Sequence, residues 1–211
     1  MIKFLSIIFR VFSFLYPYKL HKTIRLIRNF LYSLWIRNFV GKIGEHSQIC
    51  YGCRLFGTGN KNITIGDYTN IENNTILCCL EKYNNQKFPK PSIEIGNHCN
   101  IGEYNHITAC HKIKIGDGLL TGRYVVISDN NHGRFNLDEM STPPAKRDLI
   151  IKDEVIIGNN VWLGDKVTIV SGVHIGNNVI VAANAVVTHN IPDNCLVAGV
   201  PAKIIKKIGV L

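Results

Sequence analysis

One aliphatic position recurs every six residues through the second half of the chain. Counting forward by sixes from Ile157 reaches a branched aliphatic side chain at every step as far as Val187. The run is Ile157, Leu163, Ile169, Ile175, Val181 and Val187. A period of six matches neither a 3.6-residue helix nor the two-residue alternation of a strand. It is typical of a solenoid in which three short strands and three tight corners make one triangular coil.

The same frame runs through earlier parts of the chain. It passes through Ile65, Ile71 and Leu77, through Ile95, Ile101 and Ile107, through Ile115, Thr121 and Ile127, and more loosely through Ile43, Ile49 and Leu55. Small residues and asparagines stand between these positions, where corners need tight bends and positive φ angles. The sequence therefore predicts a mainly β fold, a parallel β-helix over residues 43–211 with one aliphatic side chain per strand pointing inward.

Two polar, proline-containing stretches interrupt the frame, at residues 78–92 and 128–150. Both are predicted to be loops that leave a rigid prism. A long loop within a compact repeat is usually functional. His132 stands at the start of the second loop, within the stretch "ISDNNHG". The loop containing His132 is therefore the first candidate for a functional site.

The positive charge of the chain is concentrated at its beginning. The formal net charge is +9, and residues 1–42 contain eight lysines and arginines and no acidic residue, so the remainder carries only +1. A hydrophobic content of 46% with 18% charged residues indicates a globular chain with a real core. Since no basic stripe continues into the repeat region, nucleic-acid binding is not expected.

Residues 1–42 are predicted to be a basic amphipathic helical segment. An apolar stripe recurs at helical spacing, with arginines off the stripe. Its members are Leu20, Ile24, Ile27, Leu31 and Leu34. Two interpretations stay open: a helical cap over one end of the solenoid, or a cationic surface of residues 1–40 that lies on an anionic membrane.

The first apolar run, from Phe4 to Tyr16, is too short to span a bilayer, which takes about 20 residues. It is not followed by a signal-peptide cleavage site, so a cytoplasmic location is expected, with the inner face of the membrane as the alternative. The seven cysteines are an odd number and include one isolated C-x-x-C, Cys50 to Cys53. All seven are predicted to be reduced packing residues.

The stretch over residues 157–207 contains "VWLG", "VSGVHIG" and "VAGVPAK". It resembles the C-terminal half of the hexapeptide-repeat O-acetyltransferases, a family that includes the maltose and galactoside acetyltransferases and relatives acting on bacterial surface polysaccharides. The resemblance covers about residues 43–207. It implies a left-handed parallel β-helix, a homotrimer with active sites between subunits, acetyl-CoA as co-substrate and no metal.

The resemblance also implies a catalytic base. "ISDNNHG" occupies the place of the family's catalytic histidine, so His132 is expected to take the proton of the attacking hydroxyl, and neutral imidazole suits this task. Many relatives read D-H-x-H at this place, whereas this chain has Asn130 instead of the first histidine. Asp129 and Asn130 are expected near the acceptor, where neither replaces His132 as the base.

Further roles follow from the same resemblance. The backbone amide of Asp165, next to Gly164, is expected to bind the oxyanion of the tetrahedral intermediate, with Trp162 beside the acceptor or the pantetheine arm. For coenzyme A, the resemblance implies Asp165 together with Ala183, Thr188, Lys203 and Lys206. The expected reaction is O-acetylation of a saccharide or lipid-linked sugar in surface polysaccharide biosynthesis (O-antigen, capsule or exopolysaccharide).

Three alternatives stay open at this point. The same base and donor would serve an N-acetyltransferase acting on an amino sugar or a nucleotide sugar. His106 and His111 have the spacing of two zinc ligands in the gamma carbonic anhydrases, but Asn70 stands where a third histidine would be needed. A trimeric scaffold without catalytic activity is the third alternative.

Overall fold

A computed structural model describes residues 1–134 and 136–209. Three sheets form the sides of a triangular prism, and their strands are parallel except for the last strand of the second sheet. Sheet 1 contains β1 (Lys42–Ile43), β4 (Ile63–Ile65), β9 (Ser92–Ile95), β12 (Lys112–Ile115), β17 (Val155–Ile157) and β20 (His174–Ile175). Sheet 2 contains β2 (Gln48–Ile49), β5 (Asn70–Ile71), β10 (Asn100–Ile101), β13 (Leu120–Thr121), β18 (Trp162–Leu163), β21 (Ile180–Val181), β23 (Cys195–Ala198) and β24 (Lys203–Lys207). Sheet 3 contains β3 (Arg54–Phe56), β6 (Ile76–Cys79), β11 (His106–Ala109), β14 (Val126–Ser128), β19 (Thr168–Ile169) and β22 (Val186–Val187).

The six-residue frame is the core of this prism, as predicted. Ile157 pairs with Ile175, Leu163 with Val181, and Ile169 with Val187, each one coil further along the stack. These side chains are at most 2% exposed and belong to one continuous core. The looser members, Ile43 and Leu55, are only partly buried against it. One inward aliphatic position that recurs in every six-residue unit therefore accounts for the period.

Asparagine and aspartate side chains connect the coils along the corner between sheets 1 and 2. Each accepts a hydrogen bond from a backbone N–H in the preceding coil, at 2.7 to 2.8 Å. The acceptors are Asp67, Asn97, Asp117, Asn159, Asn177 and Asp193. Next to three of them, Asn160, Asn178 and Asn194 adopt positive φ, as predicted for the corners. The ladder satisfies amides that the short strands leave unpaired.

The N-terminal segment forms two helices, α1 (Ile2–Leu15) and α2 (Tyr18–Ile36), separated at Pro17. The second half of α2 covers the first coil. The Ser33 hydroxyl accepts a hydrogen bond from the N–H of Ile49 at 3.1 Å, and the Asn29 side-chain oxygen accepts one from Tyr51 N–H at 3.3 Å. The predicted cap is therefore present, and it combines the polar contacts of Asn29 and Ser33 with the buried side chain of Ile36. The basic segment is helical only to Ile36, a 3-10 turn follows at Arg37–Phe39, and Lys42 already belongs to β1.

The apolar stripe of α2 points away from the β-helix. All five of its members, from Leu20 to Leu34, are exposed, and α1 buries none of its residues. None of the helices in the described ranges has the length and hydrophobicity that crossing a bilayer requires. The face that contacts the coil and the face that carries the stripe are thus different faces of one helix.

The two interruptions are shorter than predicted. Cys78 and Cys79 still belong to β6, and Ser92 already belongs to β9, so the first loop covers residues 80–91 and contains a hairpin of β7 (Lys82–Tyr83) and β8 (Gln86–Lys87). The second loop begins after Ser128. It contains β15 (Asn130–His132), the short helix α3 (Leu137–Met140) and β16 (Leu149–Ile151). Part of each predicted loop is therefore strand.

The cysteines are packing residues, as predicted. All seven are buried and carry free thiols. Burial raises the pKa of the Cys53 and Cys110 thiols to about 12, which keeps both protonated. For Cys53, the neighbouring Cys50 and Glu72 also raise the pKa. Cys50 and Cys53 thus pack as small apolar side chains beneath the helical cap.

Candidate active site

His132 lies at the corner between sheets 3 and 1, where the chain leaves the coil formed by β12, β13 and β14. Its strand β15 pairs antiparallel with β16, and His132 is opposite Leu149. The imidazole is exposed to solvent. A two-stranded ribbon outside the prism therefore presents the histidine, and its backbone position is fixed by pairing.

A second, smaller core fixes the two loops to each other. Phe88 from the first loop packs with Cys110 and Leu149 apart from the main core. The Gln86 side chain donates to Leu149 O at 2.9 Å and accepts from Leu149 N–H at 2.8 Å. Because Leu149 is the partner of His132, the first loop braces the histidine ribbon directly.

Tyr83 is the side chain that contacts His132. Its hydroxyl oxygen lies 3.4 Å from His132 Nδ1, and the two rings meet edge to face with centroids 5.3 Å apart. The same hydroxyl donates a hydrogen bond to Ala145 O at 2.8 Å. Sequence reasoning missed Tyr83, because nothing in the polar stretch around it distinguishes it from other exposed loop residues.

Asp129 and Asn130 lie at the base of the ribbon. Asp129 is fully buried, and its carboxylate accepts hydrogen bonds from the backbone N–H groups of Cys110 and His111, each at 2.8 Å. Asn130 is half-buried and donates to the Asp129 carboxylate at 3.0 Å. The Asp129 carboxylate thus points into the protein and anchors the start of the loop, while the expected position beside the acceptor would need it at the surface.

A groove of about 480 Å³ runs across the outer face of sheet 2. Its floor is formed by outward side chains of three adjacent strands, Trp162 of β18, Ile180 of β21 and Leu196 of β23. Trp162 is 49% exposed, which agrees with the outward orientation expected for it. Gly164, Asp165 and Ala183 line the end of the groove at the corner between sheets 2 and 3.

Asp165 and Ala183, which line this groove, both have a backbone N–H without an acceptor among the described residues. One coil earlier, the equivalent N–H of Arg123 bonds to the Asp165 carboxylate at 2.8 Å. Asp165 would need the same partner at position 183, where alanine has no side-chain acceptor. Because alanine stands at this position of the ladder, the Asp165 N–H keeps no side-chain acceptor and the space beside it stays open.

The expected coenzyme A residues are spread over two edges. Lys206 pairs with Leu196 across β23 and β24, so the lysine follows the groove floor on the same side of sheet 2. Lys203 pairs with Ala198 on the same two strands, and both lysines are exposed. Thr188 follows β22 at the corner between sheets 3 and 1, where its hydroxyl lies 2.8 Å from His189 Nδ1. Within one chain, Thr188 therefore lies outside the groove.

Within one chain, His132 and the groove belong to different corners of the prism. His132 follows β14 of sheet 3 and precedes β17 of sheet 1, whereas Trp162 lies in the middle of sheet 2. Their heights along the stack are nevertheless similar, since His132 leaves the coil immediately before the one that carries Trp162 and Asp165. One chain thus brings together Trp162, Gly164, Asp165 and Ala183, and it presents His132 elsewhere at a matching level.

A polar pocket of about 520 Å³ adjoins the groove, and both are lined by Gly122 and Asp165. Arg25 from α2 lines the opposite side of this pocket. Its charged groups include Arg123 and Glu103, whose side chains form an ion pair at 3.3 Å. The cap helix therefore contributes to a hydrophilic pocket next to the free amide of Asp165.

The zinc alternative finds no ligand set. His106 lies half-buried in β11, where burial and the nearby Arg54 lower its pKa. In residues 1–134 and 136–209, no group of three histidine, cysteine, aspartate or glutamate side chains is arranged to hold a metal ion. The pair His106 and His111 therefore has no third ligand in this part of the chain.

Comparison with known proteins agrees with this geometry. The family described as "Bacterial transferase hexapeptide (six repeats)" matches residues 154–189. This part of the chain is similar to the repeats of that transferase family. A curated relative, WbbJ of Escherichia coli strain K12, assigned to lipopolysaccharide biosynthesis as an O-acetyl transferase, is 42% identical over 123 residues, which are 57% of this chain. The match spans 63% of the length of WbbJ.

Solved structures of acyltransferases share the fold. A mutant of AntD, an N-acyltransferase from Bacillus cereus in complex with dTDP and coenzyme A, superposes with a TM-score of 0.66 at 20% identity, covering 82% of this chain and 88% of AntD. A maltose O-acetyltransferase from Clostridium difficile gives a TM-score of 0.52 at 24% identity, covering 83% and 73%. The prediction of a left-handed parallel β-helix with an N-terminal helical segment is thereby confirmed.

Proposed function

We propose that this chain is an acetyl-CoA-dependent O-acetyltransferase that acetylates a hydroxyl group of a saccharide in the biosynthesis of a bacterial surface polysaccharide. The observation that carries the proposal is that Asp165, whose N–H has no acceptor among the described residues, lines an open groove at the height of an exposed histidine. An unpaired donor beside a groove is what stabilisation of an oxyanion requires. The relationship to WbbJ supports O-acetylation of a lipopolysaccharide-type acceptor.

The reaction is a direct transfer. The neutral imidazole of His132 takes the proton of the acceptor hydroxyl as its oxygen attacks the thioester carbonyl. The Asp165 N–H donates to the oxyanion of the tetrahedral intermediate. Collapse of the intermediate breaks the carbon–sulfur bond, and the imidazolium returns the proton to the departing thiolate. General-base catalysis typically contributes about 10²–10⁴ in rate, and one oxyanion donor about 10²–10³.

Coenzyme A fits the groove on sheet 2 in one orientation. The pantetheine arm lies on Trp162, Ile180 and Leu196, with the Ala183 N–H as a backbone donor. Three strand spacings of about 4.8 Å separate β18 from β24, so Lys206 lies roughly 14 Å along the sheet from Trp162. Lys203 and Lys206 then meet the phosphates as point charges. Thr188, which lies at another corner, contacts the adenine end only if a second copy supplies it.

The active site is completed by a neighbouring copy. His132 and the groove occupy different corners at matching heights, so three parallel copies around a common axis bring the histidine of one protomer to the groove of the next. A homotrimer of this kind has three equivalent sites. A monomer would hold donor and base apart and would be inactive.

The acceptor occupies the polar pocket beside Gly122 and Asp165. This pocket adjoins the free amide, and its wall includes the Glu103–Arg123 ion pair and Arg25 of the cap helix. Such groups bind hydroxyls through directional hydrogen bonds, which suits a saccharide. Arg25, which lies on the basic helix α2, provides a cation for the diphosphate of a lipid-linked sugar.

The test is thiol release from acetyl-CoA over a panel of sugars, amino sugars and nucleotide sugars. Wild-type protein is expected to release thiol with a hydroxyl acceptor, and His132→Ala is expected to lose about 10²–10⁴ of the rate. His98→Asn is the matched control, because asparagine tolerates the positive φ of that corner position, 54°. Undiminished turnover in His132→Ala contradicts the mechanism. Transfer only to amino groups would establish the N-acetyltransferase alternative, and no thiol release with any acceptor would support the scaffold.

Residues 1–40 also support peripheral association with an anionic membrane at the cytoplasmic face. The exposed stripe of α2 and the fully exposed α1 offer apolar surface, and the segment is cationic throughout. Sedimentation with anionic vesicles tests this, using Phe9→Asp, with Leu137→Asp as an exposed apolar control outside the segment. Binding that Phe9→Asp leaves unchanged, or that zwitterionic vesicles match, contradicts the association.

A further inference from the structure

The contact between Tyr83 and His132 bears on which imidazole nitrogen carries the hydrogen. This inference rests on the proposed role of His132 as the base and goes beyond it. The Tyr83 oxygen is 3.4 Å from Nδ1 of His132 and 2.8 Å from Ala145 O. A distance of 3.4 Å is long, as is common for catalytic hydrogen bonds without bound substrate.

The direction of these two hydrogen bonds follows from their atoms. A phenol carries one hydrogen, and a backbone carbonyl oxygen accepts only. The short contact with Ala145 O therefore takes the Tyr83 hydrogen. Towards His132 the tyrosine oxygen presents a lone pair, so Nδ1 must be the donor. A neutral imidazole has one N–H, which leaves the lone pair on Nε2.

Tyr83 is held in place independently of His132. It stands at the end of β7, and its own hydroxyl is anchored to Ala145 O at 2.8 Å. The two hydrogen bonds between the Gln86 side chain and the Leu149 backbone connect β8 to the ribbon that carries His132. The Tyr83 oxygen thus approaches Nδ1 from the β7–β8 hairpin, which lies outside the coil repeat.

We propose that Tyr83 is a positioning residue that holds His132 in the Nδ1–H tautomer and orients its ring, so that Nε2 faces the acceptor hydroxyl as the base. When Nε2 takes the proton, both ring nitrogens carry hydrogen, and Tyr83 continues to accept from Nδ1. The contact is therefore present both before and after proton transfer. Tyr83 itself gains and loses no proton.

The decisive variant is Tyr83→Phe, which keeps the ring and removes the oxygen. One neutral hydrogen bond corresponds to about three- to tenfold in an equilibrium or rate, so kcat/KM should fall by that factor, through kcat. Histidine ¹⁵N NMR above the imidazole pKa reports the tautomer directly, and the His132 signal is identified by its loss in His132→Ala. Wild type should show the Nδ1–H form, and Tyr83→Phe should lose this preference.

Asn84→Gly is the matched control for loop structure. It removes the neighbouring hydrogen bond to Ala145 O, and glycine accepts the positive φ of 51° at this position. It should leave the tautomer and kcat unchanged. An Nε2–H form in the wild type, or an unchanged tautomer in Tyr83→Phe, overturns the proposal. Both NMR results stand even if His132→Ala remains active, so failure of the tautomer inference is distinct from failure of the proposed function.

Discussion

Position 183 offers a test in which stability and activity should move in opposite directions. In the ladder at the corner between sheets 2 and 3, the Asp165 carboxylate accepts from Arg123 N–H at 2.8 Å. Ala183 occupies the next rung and has no acceptor for the Asp165 N–H. Ala183→Asn restores an acceptor of the kind that asparagines provide at the other corner, at 2.7 to 2.8 Å. The new side chain satisfies the amide and fills the end of the groove.

The magnitudes follow from these two effects. One net hydrogen bond stabilises the folded state by about 1 kcal/mol. For a chain of 211 residues this raises Tm by about 2–4 °C. Occupying the oxyanion donor removes its contribution, so the transfer rate should fall by about 10²–10³. A higher Tm with a much lower rate is the expected result.

The assays are thermal unfolding and thiol release from acetyl-CoA on the same preparation. Lys166→Asn serves as the control, because it places asparagine at a positive φ of 58° beside Asp165 and leaves the Asp165 N–H free. It should retain activity without loss of stability. If Ala183→Asn keeps the wild-type rate, the Asp165 amide does not bind the oxyanion. If its Tm falls, the ladder argument for this corner is wrong.

Three further predictions concern the cap, the groove and the core. Ser33→Ala leaves the buried Ile49 N–H without its acceptor and should lower the free energy of unfolding by about 1–3 kcal/mol in denaturant titrations; an unchanged midpoint would refute the role of the cap. The double variant of Lys203 and Lys206 to alanine should raise KM for acetyl-CoA and weaken its salt dependence, with kcat unchanged; a fall in kcat alone would contradict phosphate binding. Burial raises the pKa of Cys53 to about 12, whereas unfolded thiols ionise near their ordinary pKa of about 8.5, so the free energy of unfolding should decrease as the pH rises above that value; a constant Tm from pH 8 to 10 would argue against it.

The repeat core was predictable residue by residue, because one inward aliphatic position recurs at the same place in every six-residue unit. Ile157 and Leu163 lie where counting by sixes puts them. The packing face of α2 was not predictable in this way. Periodicity identifies apolar stripes, whereas the first coil needs hydrogen-bond partners, which Asn29 and Ser33 supply. The apolar stripe consequently marks the exposed face.

The candidate site residues were found in the sequence through local motifs. Such motifs connect only residues that are close together along the chain. "ISDNNHG" and "VWLG" mark His132 and the groove. Tyr83 meets His132 across 49 residues through two loops with no repeat, so no spacing rule connects them. Asp129 belongs to a marked motif, yet its carboxylate turns inward to satisfy two backbone amides. A motif names residues without revealing which way a side chain points at the end of a strand.

The polar face of α2 has a consequence for end-to-end contacts between separate chains. Coils of this kind stack by identical backbone pairing, and an uncovered terminal coil is a template for another chain. If such an end paired with the opposite end of another chain, the head-to-tail contact would repeat into a filament, because a translation along the axis never closes. By occupying the amides of Ile49 and Tyr51, α2 terminates growth in that direction. Asn29 and Ser33 thus cover the open end of the first coil.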